Sequence, residues 1–481
     1  MIFNSLTYLV LLAVVVPLYW ILSYRARLLL IFTASITFYG FWRVEFIPVL
    51  IFSVVVDWWV ALRMYSASEK KRFRLLLISI GANIGLLFYF KYLMFFVDNS
   101  VSLANIFGAK LDPVLVNIIL PLGISFYTFQ TISYTVDVYR RHINPETDFL
   151  LYACYVTFFP QLVAGPILRV SEVIKQFVER KAFCLNHIFV GSRRILYGLF
   201  LKVVVADNIA PLVDQGYSMP IESMSALDVW TLAFLFGFQI YFDFSAYSHI
   251  ALGSARLLGI VFPENFNFPY LASSPRDFWR RWHISLSSWI RDYLYLPLAR
   301  VKVLDRSVGG LSIATSKKGD GRALYATWAI MGLWHGANWT FVLWGIYHAL
   351  MISVYRVVSP LGNGLNEKFK SVGGVFLTLP FMMLGWIPFR AESLNQTFAM
   401  WGKVFDLNAY FWLGMRENTY LITFILLIGM FSSSFLRKVF FTNSPLLSRG
   451  KQLLDITAIA VMVALVIVFL RPISQFIYFQ F

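Results

Sequence analysis

The stretch GLWHGANWT, Gly332 to Thr340, sets a histidine and an asparagine in the middle of an apolar segment, 323–355. The basic residues that bound the segment are Arg322 and Arg356. Lys and Arg concentrate on the membrane face that is not translocated, so both ends of the segment return to one side. Glycines interrupt it at Gly332, Gly336 and Gly345. This pattern predicts a re-entrant element instead of a simple crossing. His335 lies 13 residues beyond Arg322, and at about 1.5 Å per helical residue that is roughly 20 Å, near the middle of a bilayer. Irregular backbone at that depth is tolerated only where protein buries it or it lines a wet cavity. A polar group there marks a pathway or a reaction site, or else ties two helices together by a hydrogen bond.

The rest of the chain supports a membrane setting. Of 481 residues, 59% are hydrophobic and 14% charged, and the mean hydropathy is +0.67; an ordinary globular domain is excluded. The expected fold is an all-α polytopic membrane protein of about ten spans: 2–22, 28–45, 46–65, 74–97, 114–137, 183–212, 226–258, 372–389, 419–437 and 453–470. Met1 leads straight into the first span with no charged n-region or cleavage site, which reads as a retained helix. The net charge of +16 is accounted for by basic cytoplasmic loops, and no nucleic acid is expected as a partner.

Those loops set the orientation. Arg25 and Arg27, the run EKKRFR from Glu69 to Arg74, and Arg140 with Arg141 all fall inside, and the N-terminus outside. Segment 149–168 has basic residues on both sides and contains Pro160, Gly165 and Pro166, so it is expected to be a second re-entrant element. Two such elements imply a central cavity. The acidic loop with Asp214, Glu222 and Asp228 falls outside, the basic stretch from Arg276 to Arg322 inside, and the aromatic tail outside. The expected division is a membrane domain over 1–450 and a final helix with its tail over 451–481. Cys154 and Cys184 have no metal-ligand spacing, and no metal site is expected.

A second motif, RDFWRRWHISLSSWIRDYLY from Arg276 to Tyr295, places arginines beside Phe278, Trp279, Trp282, Trp289 and Ile290. A basic amphipathic helix of this kind suits the membrane surface, where its arginines would meet lipid phosphates. His283 stands apart, because an imidazole beside such a run can serve a buried polar site.

These stretches carry a family resemblance. LPLGISFYTFQTISYTVDVYR (Leu120 to Arg140), FFPQLVAGPILR (Phe158 to Arg169), IYFDFSAYSHIALG (Ile240 to Gly253), the segment Glu264 to Leu298, and GLWHGANWTFVLWGIYHAL (Gly332 to Leu350) follow one another in order. Together they make the chain similar to the membrane-bound O-acyltransferases, within them to the bacterial branch that acylates alginate and teichoic acid. The resemblance implies the family's fold around a cavity, with His335 as its central histidine and His283 as the second histidine of this branch. One departure is visible: FDFSAYSH places Ala246 and His249 where the branch usually has glycine and aspartate.

Acyl transfer to a hydroxyl needs a base for its proton and stabilisation of the developing oxyanion. His335 suits the base; His283 would polarise the acyl carbonyl or hold the acceptor. Trp334 and Asn338 beside His335, and Trp282, Arg280 and Arg281 beside His283, are the candidate substrate-binding residues. No nucleophile elbow or phosphate-binding glycine loop is present, and no bound cofactor is expected.

The tail, QFIYFQF from Gln475 to Phe481, resembles the small peptide of the D-alanylation system, with Tyr478 as its single phenol. It also fits an aromatic belt at the outer interface. An extended chain from Arg471 to Tyr478 reaches about 23 Å, more than the ~15 Å to mid-membrane, so Tyr478 can reach His335. Reference acidities run from about 8.5 for a thiol to about 10 for a phenol, with sugar hydroxyls weaker still, so thioester to aryl ester to sugar ester is a descending order of leaving groups. The expected activity is transfer of an acyl group, acetyl by resemblance, from acetyl-CoA or an acyl carrier protein to an extracytoplasmic polysaccharide across a bacterial inner membrane. A serine-hydrolase (SGNH) type partner would complete the transfer. A channel or transporter, or a scaffold for a separate acetyltransferase, are the competing readings.

Overall fold

A computed structural model describes residues 1–112, 116, 118–163, 165–179, 181–301, 303–307, 310–313, 321–362, 364, 366–440, 448–471 and 476–477. Among the described residues the fold is helical as expected, apart from an antiparallel pair of strands, Val303–Ser307 and Gly310–Ile313.

Among the described residues six helical segments are long and apolar enough to cross a membrane: Val44–Tyr65, Glu69–Ile106, Leu185–Tyr217, Ala226–Leu257, Trp339–Gly362 and Phe369–Arg390. Five match expected spans. Three more expected spans are present as shorter apolar helices, Leu6–Ile21, Glu417–Ser432 and Leu454–Val468. The other two differ for a physical reason. Expected span 28–45 is the helix Tyr24–Gly40, whose first turns carry Arg25 and Arg27. Of expected span 114–137, the described residues 118–123 are not helical, and the helix Ile124–Tyr139 is buried along nearly its whole length, polar Thr128, Gln130, Thr131, Ser133, Thr135 and Asp137 included. Trp339–Gly362, which overlaps the expected re-entrant segment 323–355 and runs past its end, is long and apolar enough to cross.

The chain packs as two compact units. The first comprises Met1–Arg194, Ile250–Pro263 and Ser288–Lys318. Its helices Ile47–Tyr65, Glu69–Leu87 and Ile124–Tyr139 are joined by a buried polar network. Asp57 accepts from Ser79 Oγ at 2.6 Å and Asn83 Nδ2 at 2.7 Å, and Asn83 Oδ1 accepts from Ser53 at 2.7 Å and Thr131 at 3.2 Å. In the same unit the chain breaks between helix Phe149–Thr157 and helix Val170–Val178, at the Pro160 to Pro166 stretch singled out above. The interruption is buried, and Tyr155 donates its hydroxyl to Leu168 O at 2.8 Å to satisfy part of it.

The second unit comprises Ile195–His249, Glu264–Ser287 and Gly319–Phe481. At its centre, helices Gly321–His335 and Trp339–Val358 form a helical hairpin. A Cβ on Gly345 would lie 2.0 Å from Trp328 O, and one on Gly332 would lie 2.1 Å from Phe341 O. Four residues forward on one helix match four back on the other, so the pair is antiparallel and its backbones touch. Small residues permit this approach in membrane helices. The turn is made by Gly336 to Asn338, and Asn338 Oδ1 caps the second helix by accepting from Thr340 N at 3.1 Å.

Gly345→Leu should therefore force the two helices apart. We expect a loss of folded protein or a clear fall in melting temperature in detergent, whereas Gly429→Leu, where an added Cβ meets nothing within 4 Å, should be tolerated.

Candidate active site

His283 and His335 both lie in the second unit, and both sit where a helix stops. Ser274 caps the helix Pro275–Arg281 by accepting from Asp277 N at 3.1 Å, with Pro275 at its first position. Trp282 leaves the helical region, His283 takes a left-handed φ of +40°, and helix resumes at Ile284. A β-carbon makes that conformation costly, by about 1–3 kcal/mol, so surrounding contacts must hold it. They come from a neighbouring loop: Ile284 N donates to Asn265 O at 2.9 Å and Asn267 N to Arg281 O at 2.9 Å.

Asn265 also fixes the imidazole. Its Oδ1 accepts from Ser285 N at 3.2 Å and Ser285 Oγ at 2.8 Å, and lies 3.2 Å from His283 Nδ1, while its Nδ2 donates to Ser248 Oγ at 3.3 Å. Because a backbone N–H can only donate, the atom facing it is the amide oxygen, and His283 Nδ1 must carry the proton. The lone pair is then on Nε2. A neutral ring in this tautomer accepts a hydrogen bond from a hydroxyl there.

His335 is the last residue of its helix and is 5% exposed. Trp334 and Trp344 each approach it edge-on at 4.9 Å and Phe389 at 5.3 Å. An aromatic ladder joins the two histidines. It runs from His335 to Trp344, to Trp386 at 6.2 Å, to Trp282 at 4.8 Å, to Phe266 at 5.2 Å, and to His283 at 6.5 Å. Both imidazoles thus belong to one apolar, water-poor core in which a proton transfer or a developing charge is strongly influenced by a few neighbours.

The remaining predicted residues divide. Trp334 and Trp282 are buried walls of this core. The Asn338 oxygen is engaged as the helix cap. Arg281 is tied to Asp277 at 3.0 Å and Arg280 is exposed, so neither side chain is brought to the ladder by the contacts it makes. His249 packs edge-on against Tyr197 at 4.8 Å. Tyr478 lies outside the described residues, but the two residues before it do not. Phe476 is fully buried and Ile477 nearly so. Phe476 packs on Tyr247 at 4.1 Å and Phe244 at 5.6 Å, and Phe244 meets His283 edge-on at 4.6 Å.

Three residues escaped the sequence reading. Asn265 stands in ENFNFPY with nothing local to reveal its partner. Lys202 interrupts an apolar run, a signal that an intramembrane charge always gives. His348, in GIYHAL, is 1% exposed among Trp279, Trp328 and Trp344. Among the described residues no group of three His, Cys, Asp or Glu side chains is arranged to hold a metal ion.

His283 lies outside the apolar spans, and burial pushes its imidazole down to about 3 from about 6.5 in an unfolded chain. Between those values the unfolded chain binds a proton that the folded one excludes. The stabilising contribution is therefore complete above about pH 6.5 and is lost as pH falls toward 3. Melting in detergent should show the wild type losing stability more steeply than His283→Gln as pH is lowered from about 6.5 to 4; parallel curves would mean that the ring is solvated.

The profile of the MBOAT, membrane-bound O-acyltransferase family, matches residues 84–385. A probable alginate O-acetylase of Pseudomonas putida is 34% identical over the full length of both chains. A peptidoglycan O-acetyltransferase of Helicobacter pylori is 36% identical over 78% of this chain and 73% of its own. A teichoic acid D-alanyltransferase of Bacillus subtilis is 25% identical over 58% of this chain and 71% of its own.

Proposed function

The chain belongs to the membrane-bound O-acyltransferase family, and from that premise we propose that it carries an acetyl group from a cytoplasmic thioester to an extracytoplasmic polysaccharide by way of Tyr478. The alginate and peptidoglycan O-acetyltransferases among its relatives support a polysaccharide acceptor and acetyl as the group. The observation that carries the relay is the burial of Phe476 and Ile477 beside Phe244, the residue that meets His283. An aromatic belt at a membrane interface would have no reason to enter the histidine core. The burial of Phe476 and Ile477 supports a tail that works with the histidine core.

In the first step the phenol oxygen of Tyr478 attacks the thioester carbonyl while His335 takes the phenol proton. The carbon–sulfur bond breaks, and the thiolate leaves with the proton returned by the imidazolium. The products are a tyrosyl ester and a free thiol. His283, with its lone pair on Nε2, is a second acceptor for a hydroxyl proton and would hold the phenol before His335 takes that proton. In the second step a sugar hydroxyl attacks the tyrosyl ester, the phenolate leaves, and the proton lost by the sugar restores the phenol. A hydrolase-type partner of the SGNH class outside the membrane suits that second step. Acetyl-CoA and an acyl carrier protein are both suitable donors, and the expected setting is a bacterial inner membrane with both chain ends outside.

Two substitutions test this reading. Tyr478→Phe removes only the hydroxyl, so the tail should still dock; polysaccharide acylation should stop, together with a base-labile acyl increment on the tail peptide seen by mass spectrometry. Acylation at the wild-type rate would reduce the tail to an anchor. His335→Ala should abolish thioester turnover by purified protein while insertion survives, since one buried polar group contributes only about 1–3 kcal/mol to stability; an inserted variant that keeps most of its turnover would remove His335 as the base. A scaffold would consume no thioester in either form.

A further inference from the structure

The tail is held by a buried charge as well as by rings. Lys202, in the segment Phe200–Ala206, is 2% exposed. Its Nζ lies 2.7 Å from Asp243 Oδ1 and 2.9 Å from Asp207 Oδ1. The ammonium also sits 5.8 Å from the centre of the Tyr247 ring. The other oxygen of Asp243, Oδ2, accepts the backbone N–H of Ile477 at 2.8 Å, and Tyr247 carries Phe476 on its face. One buried cation therefore braces both groups that grip the tail.

Such a cluster is expensive in an apolar span, and a buried ion pair that only joins helices can usually be replaced by apolar side chains without loss. What apolar side chains could not supply is an acceptor for the tail's N–H. We infer that Lys202 and Asp243 are positioning residues that latch the tail by its backbone, with Asp243 as the acceptor and Lys202 fixing that carboxylate in place. The inference deepens the relay reading by naming what holds the segment that carries Tyr478, and it depends on that reading for its purpose, not for its geometry.

The latch has a direct physical consequence. When the tail withdraws, Asp243 Oδ2 loses its donor inside the protein, and an orphaned acceptor of this kind favours return. Docking is then a two-state event set by a backbone bond, so the identity of the side chain at 477 should matter less than whether its nitrogen carries a hydrogen.

The test uses the full chain with Cys154 and Cys184 replaced by alanine and Gln475→Cys added, and reads the rate of thiol modification by an impermeant reagent. Ile477→Ala keeps the N–H and Ile477→Pro removes it. We expect labelling of the proline variant to be about tenfold or more faster than that of the alanine variant, the effect of losing one hydrogen bond to a charged group. Equal rates would overturn the latch. Asp243→Asn gives an independent reading should the proline variant accumulate poorly. It should speed labelling in the alanine background and add little in the proline background, because both changes strike one bond. Equal acceleration in the two backgrounds would make the ion pair a helix brace and the latch wrong. Labelling that follows expectation while Tyr478→Phe acylates normally would sustain the latch and refute the relay; labelling that does not follow it refutes the latch whatever Tyr478 does.

Discussion

A backbone amide at membrane depth has no water to turn to, and this constraint organises the molecule. Regular helix satisfies every N–H and C=O within itself, but it presents side chains only sideways. Both histidines are placed by stopping a helix, and each stop must be closed by protein. At His335 the closure is the turn to Asn338 and its cap on the following helix. At His283 it is the loop around Asn265, which pairs its backbone with residues 281 and 284. The irregular stretch after Thr157 is enclosed in the same way. The two buried histidines and the broken helices coincide because each needs the other: the break frees the geometry, and the packing that repairs it excludes solvent.

Much of this was legible in the sequence, for reasons that particular residues make plain. Apolar length marked the helices Val44–Tyr65, Leu185–Tyr217 and Ala226–Leu257, since a span announces itself by composition alone. The glycines around His335 marked the hairpin, and Pro160 with Pro166 marked the other break. Hydropathy does not distinguish contact with lipid from burial in protein, so the expected span 114–137 overlaps the buried helix Ile124–Tyr139. Asn338 drew attention by its proximity to His335, and its role as a helix cap was legible from the same residue. Asn265 and the Lys202–Asp243 pair could not be found by spacing, because their partners are brought together only by the fold.

The setting of the two imidazoles also bears on what kind of chemistry the core can host. Trp282, Trp344, Trp386 and Phe389 are nearly inaccessible, and an ester or thioester held among them would be shielded from hydrolysis. The same exclusion raises the importance of each hydrogen bond, since a low-dielectric site has few groups to share a developing charge. Asn265 is instructive here. By accepting from Nδ1 it decides which nitrogen of the buried ring can receive a proton.

The glycine contacts of the helical hairpin limit how this scaffold can diversify. Trp328 meets Gly345 and Phe341 meets Gly332 through main chain, leaving no side chain whose size could be adjusted to slide one helix along the other. His335 is thus held at a fixed address, and a lineage whose core must admit a bulkier group cannot make room by shifting this histidine. Adaptation is confined to the walls contributed from elsewhere, above all Trp386 and Phe389 on a separate segment, where a change of ring alters the shape of the core and leaves the position of the histidine untouched.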